Sequence, residues 1–280
     1  MSDWPKYLAL GFIQGVTEFL PVSSSWHLVV ARELLGLHTH ELFLEVCLHF
    51  GSLLAILAVF YRDIWKLIAD GARGTLMLLQ GAGRAAIGER APMFTMALAI
   101  VIGSVPIGIA GVGFHDEIKS AFESLRWSSA FLVVTGLLLI ASRFAPKARA
   151  SEVSPRKGLV VGLAQACALL PGISRSGSTI VTGYFLGFDR ELAARFSFLL
   201  ALSALAGATV LEVARTKFHQ APAMAQGDIM SIIAGTLVSA VVGWICLVLL
   251  FRVIRKGNLH WFAAYCIPAG LLLFLLSFAK

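Results

Sequence analysis

Six stretches of this 280-residue chain, roughly 42 to 60, 93 to 114, 127 to 144, 195 to 214, 229 to 251 and 261 to 279, are each long and apolar enough to cross a lipid bilayer. Hydrocarbon offers no hydrogen bonds to a bare backbone, so such stretches are stable there as helices, which satisfy their own polar groups. With 58% apolar and only 14% charged residues and a mean hydropathy of +0.82, the chain leaves no room for a soluble domain. The expected fold is therefore a single all-α polytopic membrane domain over residues 1–280. The formal net charge of +7 would suit nucleic acid, but Lys and Arg lie in short runs between apolar stretches, where they read as topology signals. Nucleic-acid binding is excluded on that ground.

Two more stretches are apolar but interrupted. Residues 7–36 and 158–187 each carry a proline and a hydroxyl cluster in mid-segment, and each reads as a helix, a break and a second helix, forming a re-entrant hairpin. The second break contains Arg175, within Pro171-Gly172-Ile173-Ser174-Arg175-Ser176-Gly177-Ser178-Thr179. An obligate cation at bilayer depth costs several kcal/mol unless partnered, and so marks an ion or substrate site. Glycine, three serine hydroxyls and a guanidinium fork are the equipment for gripping phosphate oxygens. An arginine near a helix end can instead snorkel to a headgroup, but this one is flanked by helix breakers.

The two broken segments resemble each other. Phe19-Leu20-Pro21-Val22-Ser23-Ser24 lies over Leu169-Leu170-Pro171-Gly172-Ile173-Ser174 at an offset of 150, Leu35-Gly36 over Leu186-Gly187 at 151, and Glu41-Leu42 over Glu191-Leu192. Such self-similarity points to a duplicated unit of one hairpin and three spans, with a first repeat over 1–144 and a second over 158–280. Lys and Arg concentrate in 61–92, in 143–157 and at Arg252, Arg255 and Lys256, which assigns those segments to the cytoplasm. Threading six spans accordingly sends the first hairpin in from outside and the second in from the cytoplasm. The repeats are then inverted, and their breaks meet inside the membrane, with Ser24 near Ser174 and Arg175.

The first hairpin carries Gln14, Glu18, Ser23, Ser24, Ser25, Trp26 and His27. Gln14 and Glu18, four apart, share one helix face and suit one divalent cation or water. His27 follows Ser24 by three, so a helix starting near the serines would lean the imidazole toward Ser24, a nucleophile beside a base. Splitting a phosphoanhydride requires an aligned nucleophile, neutralised phosphate oxygens and proton management. Ser24 suits attack, His27 proton transfer, Glu18 and Gln14 the metal, and Arg175 with Ser174 and Ser176 the phosphate clamp. Taken singly, Ser24 is as well read as a helix N-cap, His27 as a structural hydrogen-bonder, and Gln14 with Glu18 as a polar seam. Their joint occurrence in two matching segments favours a site.

Glu45 and His49, four apart in the first span, are candidates to line it. His38, His40, His115, His219 and His260 fall in expected loops or at a span boundary without ligand spacing, and Phe114-His115-Asp116 is expected to end a span on the external side. Cys47, Cys167, Cys246 and Cys266 lie in apolar stretches and suggest neither disulfides nor zinc. The start of the chain lacks the pattern of a cleaved signal peptide, so its first residues are expected to be retained.

These motifs resemble the undecaprenyl-diphosphatase family of the BacA type. The resemblance rests on Gln14 to Ser25 with His27, on Pro171 to Gly177, on Phe114-His115-Asp116, and on Phe196-Ser197-Phe198-Leu199-Leu200-Ala201. It implies a bacterial inner-membrane phosphatase, open to the periplasm, that converts undecaprenyl diphosphate to undecaprenyl phosphate and inorganic phosphate. That reaction recycles the lipid carrier for peptidoglycan and cell-wall synthesis and confers bacitracin resistance. The resemblance also implies a divalent cation (Mg2+ or Ca2+), a polyprenyl diphosphate lipid as substrate among membrane lipids, and frequent homodimers. Gln14 and Glu18 fall on the family's acidic pair, Ser24 and His27 on its serine and histidine, and Arg175 on its arginine, with Ser23 and Ser25 beside them at the phosphate. Gln14 stands where many members have glutamate, Trp26 where glycine is frequent, and Ser203 where proline is common. The alternative reading is a polyprenyl-phosphate transporter or flippase, which needs Arg175 but has less use for Ser24 and His27.

Overall fold

The computed structural model describes residues 4–36, 42–122, 124–150, 152–218 and 226–278. Its helices are α1 (Trp4–Phe19), α2 (Ser24–Leu35), α3 (Leu42–Leu79), α4 (Arg84–Arg90), α5 (Phe94–Gly113), α6 (His115–Phe122), α7 (Leu125–Ala141), α8 (Pro155–Cys167), α9 (Arg175–Phe185), α10 (Arg190–Phe218), α11 (Gln226–Lys256) and α12 (Ala263–Leu276). Six are long and apolar enough to cross a membrane, namely Leu44–Leu79, Phe94–Gly113, Leu125–Phe144, Arg190–Val210, Ile229–Lys256 and Leu259–Leu276. The protein is a multi-pass helical membrane protein. His38, His40, Glu41 and His219, named above from sequence, lie outside the residues whose placement or side chains are described.

One boundary differs from expectation. Residues 61–79, expected in a cytoplasmic loop, continue α3 beyond a kink at Phe60 (φ −106°, ψ 16°). A 38-residue helix is about 57 Å long, well beyond a bilayer's hydrocarbon core. The apolar signal ends where the membrane ends, but helical hydrogen bonding does not. The extension is tied down by Asp70, whose carboxylate accepts from the Met93 amide at 3.0 Å, and by Arg73, which donates to the Arg90 carbonyl at 3.1 Å.

Small residues set how closely the helices approach. Gly11 and Gly15 of α1 lie on Gly235 and Ser239 of α11, while Gly158 and Gly162 of α8 lie on Ala99 and Gly103 of α5. A Cβ on Gly11 would overlap the Gly235 carbonyl, and one on Gly162 the Gly103 carbonyl, so glycine permits this spacing. In both pairs the contacts advance together along the two chains, so the partners run parallel. Thus the first half-helix of each broken segment packs on a span from the other half of the chain. In contrast α7 and α12 run antiparallel, with Gly136 on Ile267 and Gly270 on Ser129.

Phe19, fully buried at the end of α1, meets Phe198 edge-on at 5.9 Å. Phe198 in turn packs on Phe60 and Phe251 at 6.3 and 6.0 Å between ring centres. Phe19 follows Glu18 in sequence, so this aromatic block packs next to the polar end of α1.

Candidate active site

Pro21 and Pro171 each follow the end of a half-helix, where the missing N–H costs least. In the first break the Val22 amide donates to the Leu20 carbonyl at 2.7 Å, and Ser23 takes φ 65°, the one positive φ of a non-glycine among the described residues. That conformation costs about 1–3 kcal/mol and clusters at functional sites. Ser23 is also the N-cap of α2, its Oγ accepting from the Trp26 amide at 3.5 Å. The capping role open to Ser24 thus falls on its neighbour, which leaves the Ser24 hydroxyl at the helix start to donate to Glu18.

The second break is built similarly. Ser174 caps α9 through the Gly177 amide at 3.1 Å, which puts Arg175 in the first turn. Gly172 adopts φ 97°, and a Cβ there would overlap the Ser128 carbonyl. Thr135 of α7 clamps this loop: its hydroxyl donates to the Gly172 carbonyl at 2.8 Å and accepts from the Ser174 amide at 2.9 Å.

The two breaks interlock. The Gly172 amide donates to Ser25 Oγ at 3.3 Å, and Ser176 Oγ donates to the Leu20 carbonyl at 3.3 Å. Ser23 and Ser25 hydroxyls share a hydrogen at 3.0 Å, as do Ser174 and Ser176 at 3.2 Å. Trp26 Nε1 donates to Ser129 Oγ at 3.0 Å, anchoring α2 on α7.

Glu18 is the hub. It is 6% exposed, and its Oε1 forms an ion pair with Arg175 Nη2 across the junction. Its Oε2 accepts from Ser24 Oγ at 2.6 Å and from Gln14 Nε2 at 3.0 Å, and lies 3.6 Å from His49 Nε2. Arg175 also donates to the Ala201 carbonyl at 3.3 Å. Buried carboxylate, guanidinium and hydroxyl therefore share one polar pocket, where weak screening makes their fields count for more than in water.

Gln14 is fully buried; its Nε2 also reaches Ser52 Oγ at 3.3 Å, while its Oε1 has no hydrogen-bond partner. An orphaned amide oxygen is a ligand atom that suits a hard cation completing its shell with phosphate and water oxygens, although it is Nε2 and not Oε1 that faces the Glu18 carboxylate. Among the described residues no three or more His, Cys, Asp or Glu side chains gather into a ligand cage. The donor set fits an ion shared with a phosphate substrate rather than one held by protein alone.

Gln14, Glu18, Ser24 and Arg175 are thus brought together, with Ser23, Ser25, Ser174 and Ser176 around them. His27 is placed differently from the lean toward Ser24: its Nδ1 lies 2.8 Å from the Ser23 carbonyl and its Nε2 2.7 Å from Tyr265 Oη. Glu45 turns its carboxylate to Arg32, 2.6 Å away, and offers only its carbonyl to His49 Nδ1, at 2.8 Å. Sequence reasoning missed Thr135, Ser129 and Tyr265. Their one signal is a hydroxyl inside an apolar span, shared by many residues that merely bond their own helix.

Fold and cluster together define a multi-pass membrane protein whose buried charges meet between two broken helices. The family model described as Bacitracin resistance protein BacA matches residues 7–272, and the chain belongs to that family. It is 43% identical over 277 residues to the undecaprenyl-diphosphatase of Desulfatibacillum aliphaticivorans, covering 95% of this chain and 96% of the relative. It is 37% identical over 274 residues to that of Halothermothrix orenii, covering 97% of each. To the undecaprenyl-diphosphatase of Desulfosudis oleivorans it is 40% identical over 265 residues, covering 94% of each.

Proposed function

We propose that the protein is an undecaprenyl-diphosphate phosphatase that releases inorganic phosphate and returns undecaprenyl phosphate to cell-wall synthesis, with bacitracin resistance as a consequence. The observation that carries this reading is the Glu18 carboxylate, bonded at once to the Ser24 hydroxyl at 2.6 Å and to the Arg175 guanidinium. A nucleophile, its proton acceptor and a phosphate clamp therefore share one buried group. The names of the relatives supply the lipid diphosphate.

In this reading the terminal phosphate of the substrate takes over Arg175 from Glu18, with the hydroxyls of Ser23, Ser25, Ser174 and Ser176 nearby as further donors. Ser24 Oγ forms the new bond to phosphorus, its proton passes to Glu18 Oε2, and the bond to the bridging oxygen breaks, releasing undecaprenyl phosphate. Water then attacks the phosphoserine, inorganic phosphate leaves, and Glu18 returns the proton to Ser24. A divalent cation, Mg2+ or Ca2+, held by Glu18 and Gln14 Oε1, would neutralise phosphate charge. Positioning and electrostatics supply most of the acceleration in such transfers.

The same reading makes 7–36 and 158–187 re-entrant hairpins of two inverted repeats, in a bacterial inner membrane with the site open to the periplasm. The parallel pairings of α1 with α11 and of α5 with α8, each joining one half to the other, support that symmetry. The same observation favours a second reading, carriage of polyprenyl phosphate across the membrane, because exchange between repeats is a common transporter device. Purified protein releasing phosphate from undecaprenyl diphosphate supports the hydrolase. Movement of labelled polyprenyl phosphate across vesicles without phosphate release would replace it with the carrier.

A further inference from the structure

Gln165, near the end of α8, is completely buried, and neither its Nε2 nor its Oε1 has a hydrogen-bond partner. Among the described residues no other side-chain amide has both polar atoms unpaired. Buried amides are paired as a rule, because the bonds they give up in water are otherwise lost. The internal repeat shows what this one faces. At the offset of 151 that lays Leu35-Gly36 over Leu186-Gly187, Gln14 lies over Gln165 and Ser52 over Ser203. In the first half Gln14 Nε2 donates to Ser52 Oγ at 3.3 Å, and Ser52 meets Ser239 Oγ of α11, the span that packs on α1, at 3.4 Å. In the second half Ser203 meets Ser104 Oγ of α5, the span that packs on α8, at 2.6 Å. The hydroxyl pair is repeated, and the glutamine bond is not.

Gly158 of α8 lies on Ala99 and Gly162 on Gly103, so Gln165, three residues further along that face, meets α5 near Pro106, and its side chain leans back toward Ser104. Gly103 also meets Leu200, so α5, α8 and α10 converge at this level. Ser104 and Ser203 each lie 2.7 Å from a carbonyl of their own helix, Ile100 and Leu200, so both hydroxyl hydrogens are spent there and within the pair. The serines therefore offer lone pairs alone. Pro106 adds an acceptor, since it has no N–H to give the Ile102 carbonyl. A ligand here has to donate to these oxygens and to Gln165 Oε1 and to accept from Nε2. An anion cannot donate. A cation is disfavoured because Leu169 stands at the offset of 151 from Glu18, and because Arg175 donates to the Ala201 carbonyl, two residues before Ser203, at 3.3 Å. Water meets every requirement.

We propose that Gln165, Ser104 and Ser203 form a second buried polar site, the uncharged twin of the Gln14 pocket, and that its ligand is ordered water. The site lies behind the phosphate clamp, toward the carbonyl that holds Arg175 Nη1, and it supplies the junction of α5, α8 and α10 with the hydrogen bonds that Gln165 would forfeit in a dry seam. It goes beyond the hydrolase reading and holds equally for a carrier.

The test uses full-length protein in detergent, as wild type, Gln165→Leu and Ser203→Ala. X-ray radiolysis turns bound water into hydroxyl radicals, which mark side chains that bulk water cannot reach. Leu200, fully buried beside Gly103, is expected to be oxidised in the wild type, and the mark to be lost in Gln165→Leu. Leu also separates a wet seam from a dry one by stability. Removing an amide bonded to water lowers the thermal midpoint, whereas removing one left unpaired raises it. The expected result is a fall of a few degrees. Ser203→Ala keeps the amide and removes one acceptor, and its weakened mark gives the same reading should Gln165→Leu not be recovered folded. An unmarked Leu200 in the wild type, a mark that persists in Gln165→Leu, or a raised midpoint in that variant overturns the proposal.

Discussion

Glu18 and Arg175, 157 positions apart, form an ion pair where the two broken helices meet, the carboxylate 4% and the guanidinium side chain 17% exposed. Breaking a buried pair from one side leaves an uncompensated charge, at a cost of about 3–5 kcal/mol. Arg175→Ala is therefore expected to lower the thermal midpoint sharply in detergent, and Glu18→Gln in the same chain to recover much of it without restoring activity. Arg175→Lys keeps the charge but loses the fork that grips two oxygens, and its phosphate release is expected to fall well below wild type. Thermal unfolding and phosphate assays on the four proteins check both statements.

Ser23 combines a strained φ of 65° with the capping of α2. Ser23→Ala keeps the strain and loses the cap, and is expected to destabilise by about 1 kcal/mol. Ser23→Gly loses the same hydroxyl but relaxes the backbone, and is expected to melt above Ser23→Ala. The reverse order of melting temperatures would show that the φ value carries no strain.

Thr135 ties the Gly172 carbonyl and the Ser174 amide to α7. Thr135→Val preserves shape and removes both bonds. Because Ser174 and Arg175 are then loosened together, kcat is expected to fall about ten- to a hundredfold, as small misplacements in a catalytic site do. Steady-state kinetics at saturating lipid substrate measures it.

Gln14 bonds Glu18 through Nε2 and leaves its Oε1 unpaired. Gln14→Glu adds a second carboxylate and is expected to lower the Mg2+ concentration for half-maximal activity by about tenfold, a typical effect of ligand-shell changes. Chelator is expected to silence both proteins. Titration of the cation against phosphate release distinguishes the two curves, and identical curves would remove Gln14 from the cation.

The breaks were readable from sequence because a repeated Leu-Pro followed by hydroxyls marks both; proline alone would not have marked them, since Pro106 and Pro268 sit inside α5 and α12. Glu18 and Arg175 were readable because charge is rare in apolar stretches, so each stands out against its neighbours. The direction of His27 was not. Offsets of three and four both fit a helical lean, and the ring that faces the Ser23 carbonyl rather than Ser24 Oγ meets Tyr265, far away in sequence, on its other side. Thr135 and Tyr265 were equally hidden, since a hydroxyl in a span says nothing of which loop it will meet. The helical extension of α3 past Phe60 escaped because hydropathy reports solvent, not hydrogen bonding.

Ser24, bonded to Glu18 at 2.6 Å, is the nucleophile proposed to attack phosphorus. Phosphate release from undecaprenyl diphosphate by wild type and Ser24→Ala, purified in detergent with Mg2+, tests it most directly. The expected result is metal-dependent release by wild type and a loss of at least about a thousandfold in Ser24→Ala, with substrate still bound. Near-normal turnover by Ser24→Ala would contradict the claim and leave an activated water as the nucleophile.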